Sequence, residues 1–380
     1  MQSRINDLIE SLRNSLLKPS GTPLPKKDLQ QGNRYKQHTS RTRRKRTTIS
    51  TSTNPKHAVS EIINFLKNKS ADSFGQVLFK EVGTVQHIGS GVARISGLPQ
   101  VGINELVIFP TNVMGLTLNL GNNYIDVILL GSEEGIHGGD LVTRAKERLT
   151  IPVGPNFIGR IVNSLGEPLD GRLPIDPAAY RALENKAPGI IERSPIDTPL
   201  FTGIKIIDSL LPIGRGQREL IAGDRQTGKT SLAVDTILNQ KDSNVLCIYV
   251  AIGQKKSSTL AIIDTFRAHG ALDYTTIIVA SPDDPPALRY LAPFAGCTIS
   301  EYFLEKGRDV LIIYDDLSKH ANAYREISLL LKRPPGREAY PGDIFYLHAR
   351  LLERSCRLNK DHGGGSVTAL PIVALQQGNN

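Results

Sequence analysis

The chain has no tryptophan, and only three of its 380 residues are cysteine. Cys247, Cys297 and Cys356 lie far apart. That excludes an even-numbered disulfide framework and a cysteine metal knuckle, and leaves buried thiols in a reducing compartment as the expectation. The eight histidines are scattered, without an H-E-x-x-H or any paired ligand spacing, so a histidine metal centre is not expected. No stretch approaches the roughly 20 apolar residues that a bilayer span needs. Internal repeats are also missing. What remains, 39% apolar residues and 6% aromatic, suits a soluble α/β protein of two or three domains.

The net charge of +9 is unevenly placed. Residues 1–60 hold 13 Lys and Arg against 3 Asp and Glu, whereas the other 320 residues hold 33 against 34. The basicity therefore belongs to the beginning of the chain. Residues 1–17 carry a short amphipathic pattern, with Ile5, Leu8, Ile9, Leu12 and Leu16 on one side. Pro19, Pro23 and Pro25 end it. A polar stretch follows to Pro55, centred on Arg41–Arg46. Such a run reads first as a solvated tail, with anionic-lipid or nucleic-acid contact as the alternative. An organelle-targeting segment fits poorly, because Asp7 and Glu10 come early.

Four regions follow from the pattern: a basic, disordered extension over 1–55, a helical lead-in over 56–74, a small β-barrel over 75–148, and a nucleotide-binding α/β domain over 149–380. The barrel is predicted from short apolar runs separated by Gly, Asn and Asp: Gln76–Val85, Val92–Ile95, Glu105–Phe109, Met114–Asn119 and Ile125–Leu130. Gly89-Ser90-Gly91 and Gly138-Gly139-Asp140 read as turns within it. The α/β region alternates strands at Val245–Ile252, Thr276–Ala280, Val310–Tyr314 and Val367–Leu375 with helices over 257–269, 286–306, 318–332 and 341–354. Strand alternating with helix predicts a mainly parallel sheet with right-handed crossovers.

Gly223-Asp224-Arg225-Gln226-Thr227-Gly228-Lys229-Thr230 fits G-x-x-x-x-G-K-[ST], the phosphate-binding loop. Glu219–Ala222 leads in as a strand, and Leu232, Val234, Ile237 and Leu238 lead out as a helix. A glycine turn that fits by chance is the bland alternative, and the flanks argue against it. Backbone N–H groups of such a loop point at phosphate oxygens, and the helix N-terminus adds positive potential. Lys229 would reach the β- and γ-phosphates, and the Thr230 hydroxyl would ligate Mg²⁺. Ser231 completes the expected nucleotide-binding set. Asp315, at the end of an apolar strand, would hold Mg²⁺ from the other side, directly or through water; a buried turn aspartate is the alternative. Hydrolysis also needs a group to orient or deprotonate water. The natural place, after Val250-Ala251-Ile252-Gly253, holds Gln254, a carboxamide that has no useful basicity but can orient water, as a glutamine does in GTPases.

Several strings together resemble the α subunit of F-type ATP synthase. They are the loop itself, Pro212–Glu219, Ala251-Ile252-Gly253-Gln254-Lys255, Tyr314-Asp315-Asp316-Leu317-Ser318-Lys319, and Arg333–Asp343. The similarity runs from about Gln76 to about Pro371. It implies an N-terminal β-barrel, a RecA-like P-loop domain and a C-terminal helical domain. It further implies ATP or ADP with Mg²⁺ as ligands, and alternation with β subunits in a hexamer around a γ shaft, with a δ-type subunit attached. The complex would sit peripherally on the cytoplasmic face of a bacterial inner membrane, or the equivalent organellar face. In that family α binds Mg-nucleotide without turning it over, and Gln254 stands where β carries its catalytic Glu. No catalytic residue is therefore expected in this chain.

The resemblance stops short at both ends. Residues 1–55 match nothing familiar, and the helical domain is expected to be absent, with the nucleotide domain incomplete at its C-terminus. Two other readings stand beside it. One is a RecA-like hexameric nucleic-acid motor of terminator type, which the basic beginning suits; the sparse aromatics of residues 75–148 give few platforms for base stacking, so no nucleic acid is expected. The other is a shortened α-like protein that does not assemble.

Overall fold

The computed structural model describes residues 81–375. The amphipathic pattern over 1–17, the basic stretch at Arg41–Arg46, the helical lead-in over 56–74 and the last five residues lie outside the described residues.

Six antiparallel strands close a barrel: β1 Val82–Gly89, β2 Val92–Ser96, β3 Glu105–Ile108, β4 Met114–Leu120, β5 Ile125–Leu129 and β6 Leu141–Arg148. Their order around the barrel is β1-β2-β5-β4-β3-β6. Ser90 and Gly91 both have positive φ, 55° and 77°, and Gly89 pairs with Val92. That is a two-residue hairpin turn whose twist matches its strands. β1 extends beyond the end of the apolar run at Val85, because His87–Gly89 pair with β2 although their side chains are polar or partly exposed; residues 76–80 lie outside the described residues. Val85, Ile95, Val107, Phe109, Val127, Leu129 and Val142 fill the interior.

The next 70 residues carry elements that no periodicity announces. β7 Thr150–Val153 pairs with β9 Ala179–Ala182 as a ribbon. Between them, β8 Ile161–Val162 joins the main sheet. β10 Pro199–Leu200 and β11 Ile213–Gly214 form a second ribbon around the short helix α1, Lys205–Leu210.

The chain then alternates: β12 Ile221–Gly223, α2 Lys229–Leu238, β13 Val245–Ile252, α3 Lys256–Ala268, β14 Thr275–Ala280, α4 Pro286–Glu305, β15 Asp309–Asp315, α5 Leu317–Leu330, α6 Ile344–Leu352 and β16 Ser366–Ala374. The sheet is parallel, in the order β12-β16-β15-β13-β14-β8. All eight residues of β13 are buried, as a strand covered on both faces must be. Its side chains alternate between two cores. Ile248, Val250 and Ile252 pack with α4, whereas Cys247, Tyr249 and Ala251 share a cluster with Ala233 and Ile237 of α2 and Phe266 of α3. All three cysteines are buried. The expected architecture, a small antiparallel barrel followed by a mainly parallel nucleotide-binding domain, is the one observed.

Strand order decides where a ligand can sit. From β13 the chain steps outward to β14 and then returns across β13 to β15. The order therefore reverses beside β13. Open α/β sheets bind ligands in the crevice beyond the strand ends at such a point. Gly253-Gln254 and Asp315 stand there.

Candidate functional site

The phosphate loop leaves β12 and ends on α2. Gln226 and Gly228 have φ of 64° and 86°, in the left-handed region. A Cβ on Gly228 would meet nothing within 4 Å, so glycine is needed there for conformation, not for space. Thr227 Oγ1 donates to the Asp224 carbonyl at 2.9 Å. The Lys229 ammonium donates to the Gly223 carbonyl at 2.8 Å and also to the Asp224 carbonyl, so it is held over the loop. Asp224 to Gly228 are exposed, as is Ser231, and Lys229 and Thr230 are partly buried. Backbone N–H groups at the start of α2 and one ammonium thus stand together at the exposed loop, which is the equipment of an anion site.

Thr230 turns the other way. Its hydroxyl donates to Asp315 Oδ2 at 2.8 Å. Gln254 Nε2 donates to Oδ1 of the same carboxylate, also at 2.8 Å. Thr230, Gln254 and Asp315, each picked out by motif, therefore meet at one carboxylate that is only 2% exposed. Gly253 makes the bend that brings Gln254 there, with φ of 57°. Asp316 serves the helix instead of the site, because its side chain caps α5 by accepting from Lys319 N at 2.8 Å. Burial pushes the Asp316 carboxyl above its usual range.

One partner of this carboxylate is not marked by any motif. The Tyr249 hydroxyl donates to Asp315 Oδ2 at 2.6 Å from a wholly buried position on β13. Burial, reinforced by the carboxylate, raises the phenol well above its ordinary range, so it stays a donor. A signal was present: a phenol within the apolar run Val245–Ile252 must find a polar partner. Only the register of β13 on β15 says which.

A cleft of about 750 Å³ lined by Arg181, Lys186, Glu301, Glu305 and His362, among others, shares no residue with the loop. Within it Arg181 is paired with Glu305 and Glu301 with Arg354. Among the described residues no group of three His, Cys, Asp or Glu is placed to hold a metal, and no helix is long and apolar enough to cross a membrane.

A barrel, a phosphate loop and a strand-end carboxylate that meets the loop threonine define a P-loop nucleotide-binding protein. Residues 203–380 match the ATP synthase alpha/beta family, nucleotide-binding domain, and residues 78–146 match the beta-barrel domain of the same family. The two matches span well over half of the chain, which belongs to the ATP synthase alpha/beta family.

Proposed function

We propose that this chain is the α-type, non-catalytic nucleotide-binding subunit of the F1 sector of an F-type ATP synthase. The observation that carries the reading is Gln254. At the strand end where a general base would act, the structure has a carboxamide, and its N–H is committed to Asp315 at 2.8 Å. An amide can neither take a proton from water at neutral pH nor leave this partner without cost.

ATP or ADP would be bound with Mg²⁺. The donors present fit a hard cation that takes oxygen ligands: the Thr230 hydroxyl and the Asp315 carboxylate touch at 2.8 Å, and no sulfur or imidazole stands with them. Mg²⁺ would neutralise phosphate charge when bound. The chain's own residues do the rest. The loop N–H groups and Lys229 receive the phosphates, and Thr230 and Asp315 hold the cation.

The proposed partners are β subunits alternating with this chain around a γ shaft, a δ-type subunit, and through the complex the surface of an energy-coupling membrane. Large exposed side chains support a role in contacts between subunits: Phe345 is 85% and Tyr346 66% exposed on α6, more than single surface apolar residues require.

The test uses the full chain. Calorimetry should show Mg-ATP binding, and the bound nucleotide should keep its γ-phosphate during incubation. Co-expression with β and γ subunits should yield a complex containing all three. Phosphate release by the isolated chain that Lys229→Ala abolishes would overturn the non-catalytic assignment. Failure to recover β with the chain would overturn the subunit assignment.

A further inference from the structure

The Asp315 carboxylate is held by three donors from three places. Thr230 comes from the loop, Gln254 from beyond β13, and Tyr249 from within β13. In the register of these strands Tyr249 lies opposite Ile313 and Ala251 opposite Asp315. Tyr249 and Asp315 are thus diagonal neighbours on one face of the sheet, within reach of a long side chain. The Tyr249 ring is fixed from behind by Phe266 of α3, edge to face at 5.9 Å. The phenol cannot follow the carboxylate if it rotates. It therefore sets the carboxylate's angle.

The three donors differ in what they can do when a cation arrives. Thr230 is itself an expected ligand and has to share its oxygen. Gln254 sits at the mouth of the crevice. Tyr249 is wholly buried behind the carboxylate, on a rigid central strand, and is the donor that persists. We propose that Tyr249 is a positioning residue for the metal–nucleotide site, which orients the Asp315 carboxylate toward a divalent cation without touching cation or nucleotide. This rests on the reading of the loop as a Mg-nucleotide site. Phenylalanine would keep the ring, its packing on Phe266 and the apolar volume, and would remove only the donor.

The experiment compares the full chain with Tyr249→Phe by calorimetry, each titrated with ATP in Mg²⁺ and again in EDTA. A hydrogen bond to a charged group is worth roughly a tenfold change or somewhat more in an equilibrium. The expected result is that Tyr249→Phe weakens Mg-ATP binding about tenfold and leaves metal-free ATP binding unchanged. A merely structural role would lower both affinities together, and that result overturns the proposal; metal-free binding also reports that the variant is folded. A parent chain that prefers Mg-ATP to ATP, with a variant that keeps the full preference, overturns the positioning role alone. A parent chain with no preference for the metal complex overturns the site reading and the proposal with it.

Discussion

Nδ1 of His320 lies 3.1 Å from Nε2 of His348. His320 belongs to the first turn of α5, His348 to α6, and the other nitrogen of His320 meets the Tyr290 carbonyl at 3.0 Å. That carbonyl can only accept, so Nε2 of His320 carries a proton and Nδ1 must accept one from His348. The pair is consistent as two neutral rings. Burial of both rings disfavours the charged form.

Acid should therefore weaken the fold here. Burial, with His348 and Arg350 adding to it, lowers the His320 pKa from 6.5 to about 3; the rings of Tyr290 and Phe294 pack around it. The unfolded chain binds the proton first, so stability is complete above about pH 6.5 and falls as the pH drops toward 3. Between pH 7 and pH 5 the loss assigned to His320 is about 2 kcal/mol. Urea unfolding at the two pH values should show it, and His320→Phe should flatten the dependence even if its stability at pH 7 is lower. Equal pH slopes in both proteins would sink the assignment.

The guanidinium of Arg354 meets Glu301 at 2.6 and 2.7 Å, with Arg354 only 1% exposed. It also donates to the Leu183 carbonyl at 2.9 Å, and so ties the β9 region to α4 and to the turn after α6. Removing one member leaves a buried charge without its counterion, which costs about 3–5 kcal/mol. Glu301→Ala should lose that much in denaturant titration. The double change Glu301→Leu with Arg354→Met should recover more than half of it, because apolar replacement of a whole buried pair is often close to neutral.

Gly296 lets α4 lie close against the sheet. A Cβ there would stand 2.6 Å from Val250 Cγ2 and 3.2 Å from Ile312 Cδ1. Alanine gains about 1 kcal/mol in helix propensity, whereas overpacking a core costs about 1–3 kcal/mol. Val250 sits in a strand buried throughout and has nowhere to move, so the collision should win. Gly296→Ala is expected to lower Tm, and adding Val250→Ala to raise it again. A Gly296→Ala protein with a higher Tm than the parent would show that α4 can shift.

Lys229→Ala should weaken nucleotide binding by about 10- to 100-fold, the value of a charge-assisted contact to phosphate. The loop should survive the change, since Thr227 still closes it on the Asp224 carbonyl. Equal ATP affinity of variant and parent by calorimetry would remove Lys229 from the site.

The parts legible in the sequence were those in which one local signal decides. Val245–Ile252 reads as a buried strand because it is an unbroken apolar, β-branched run, and it has those bounds in the structure. The helices expected over 257–269 and 286–306 appear at Lys256–Ala268 and Pro286–Glu305. Residues 149–218 were opaque, because strands as short as Ile161–Val162 carry no period; they are extended only because a neighbour pairs with them. At the site, Thr230, Gln254 and Asp315 sit at motif positions and needed no fold. Tyr249 needed the register of β13 on β15, and a register is a relation between distant segments. The place of β16 between β12 and β15 was invisible for the same reason.

That place fixes an order of events during synthesis. β12 precedes β13, β14 and β15 in the chain, yet among the described strands it touches the sheet only through β16, with Ile221 against Ile372 and Gly223 against Ala374. On a ribosome, β13, β14 and β15 can pair with one another while β16 is still unmade, and β12 has to wait. β12 can be seated only once β16 has been made, after a long and entropically costly closure. The phosphate loop hangs from β12. A nascent chain therefore has no ready nucleotide site to help it fold, and nucleotide can reward only a domain in which β16 has already arrived.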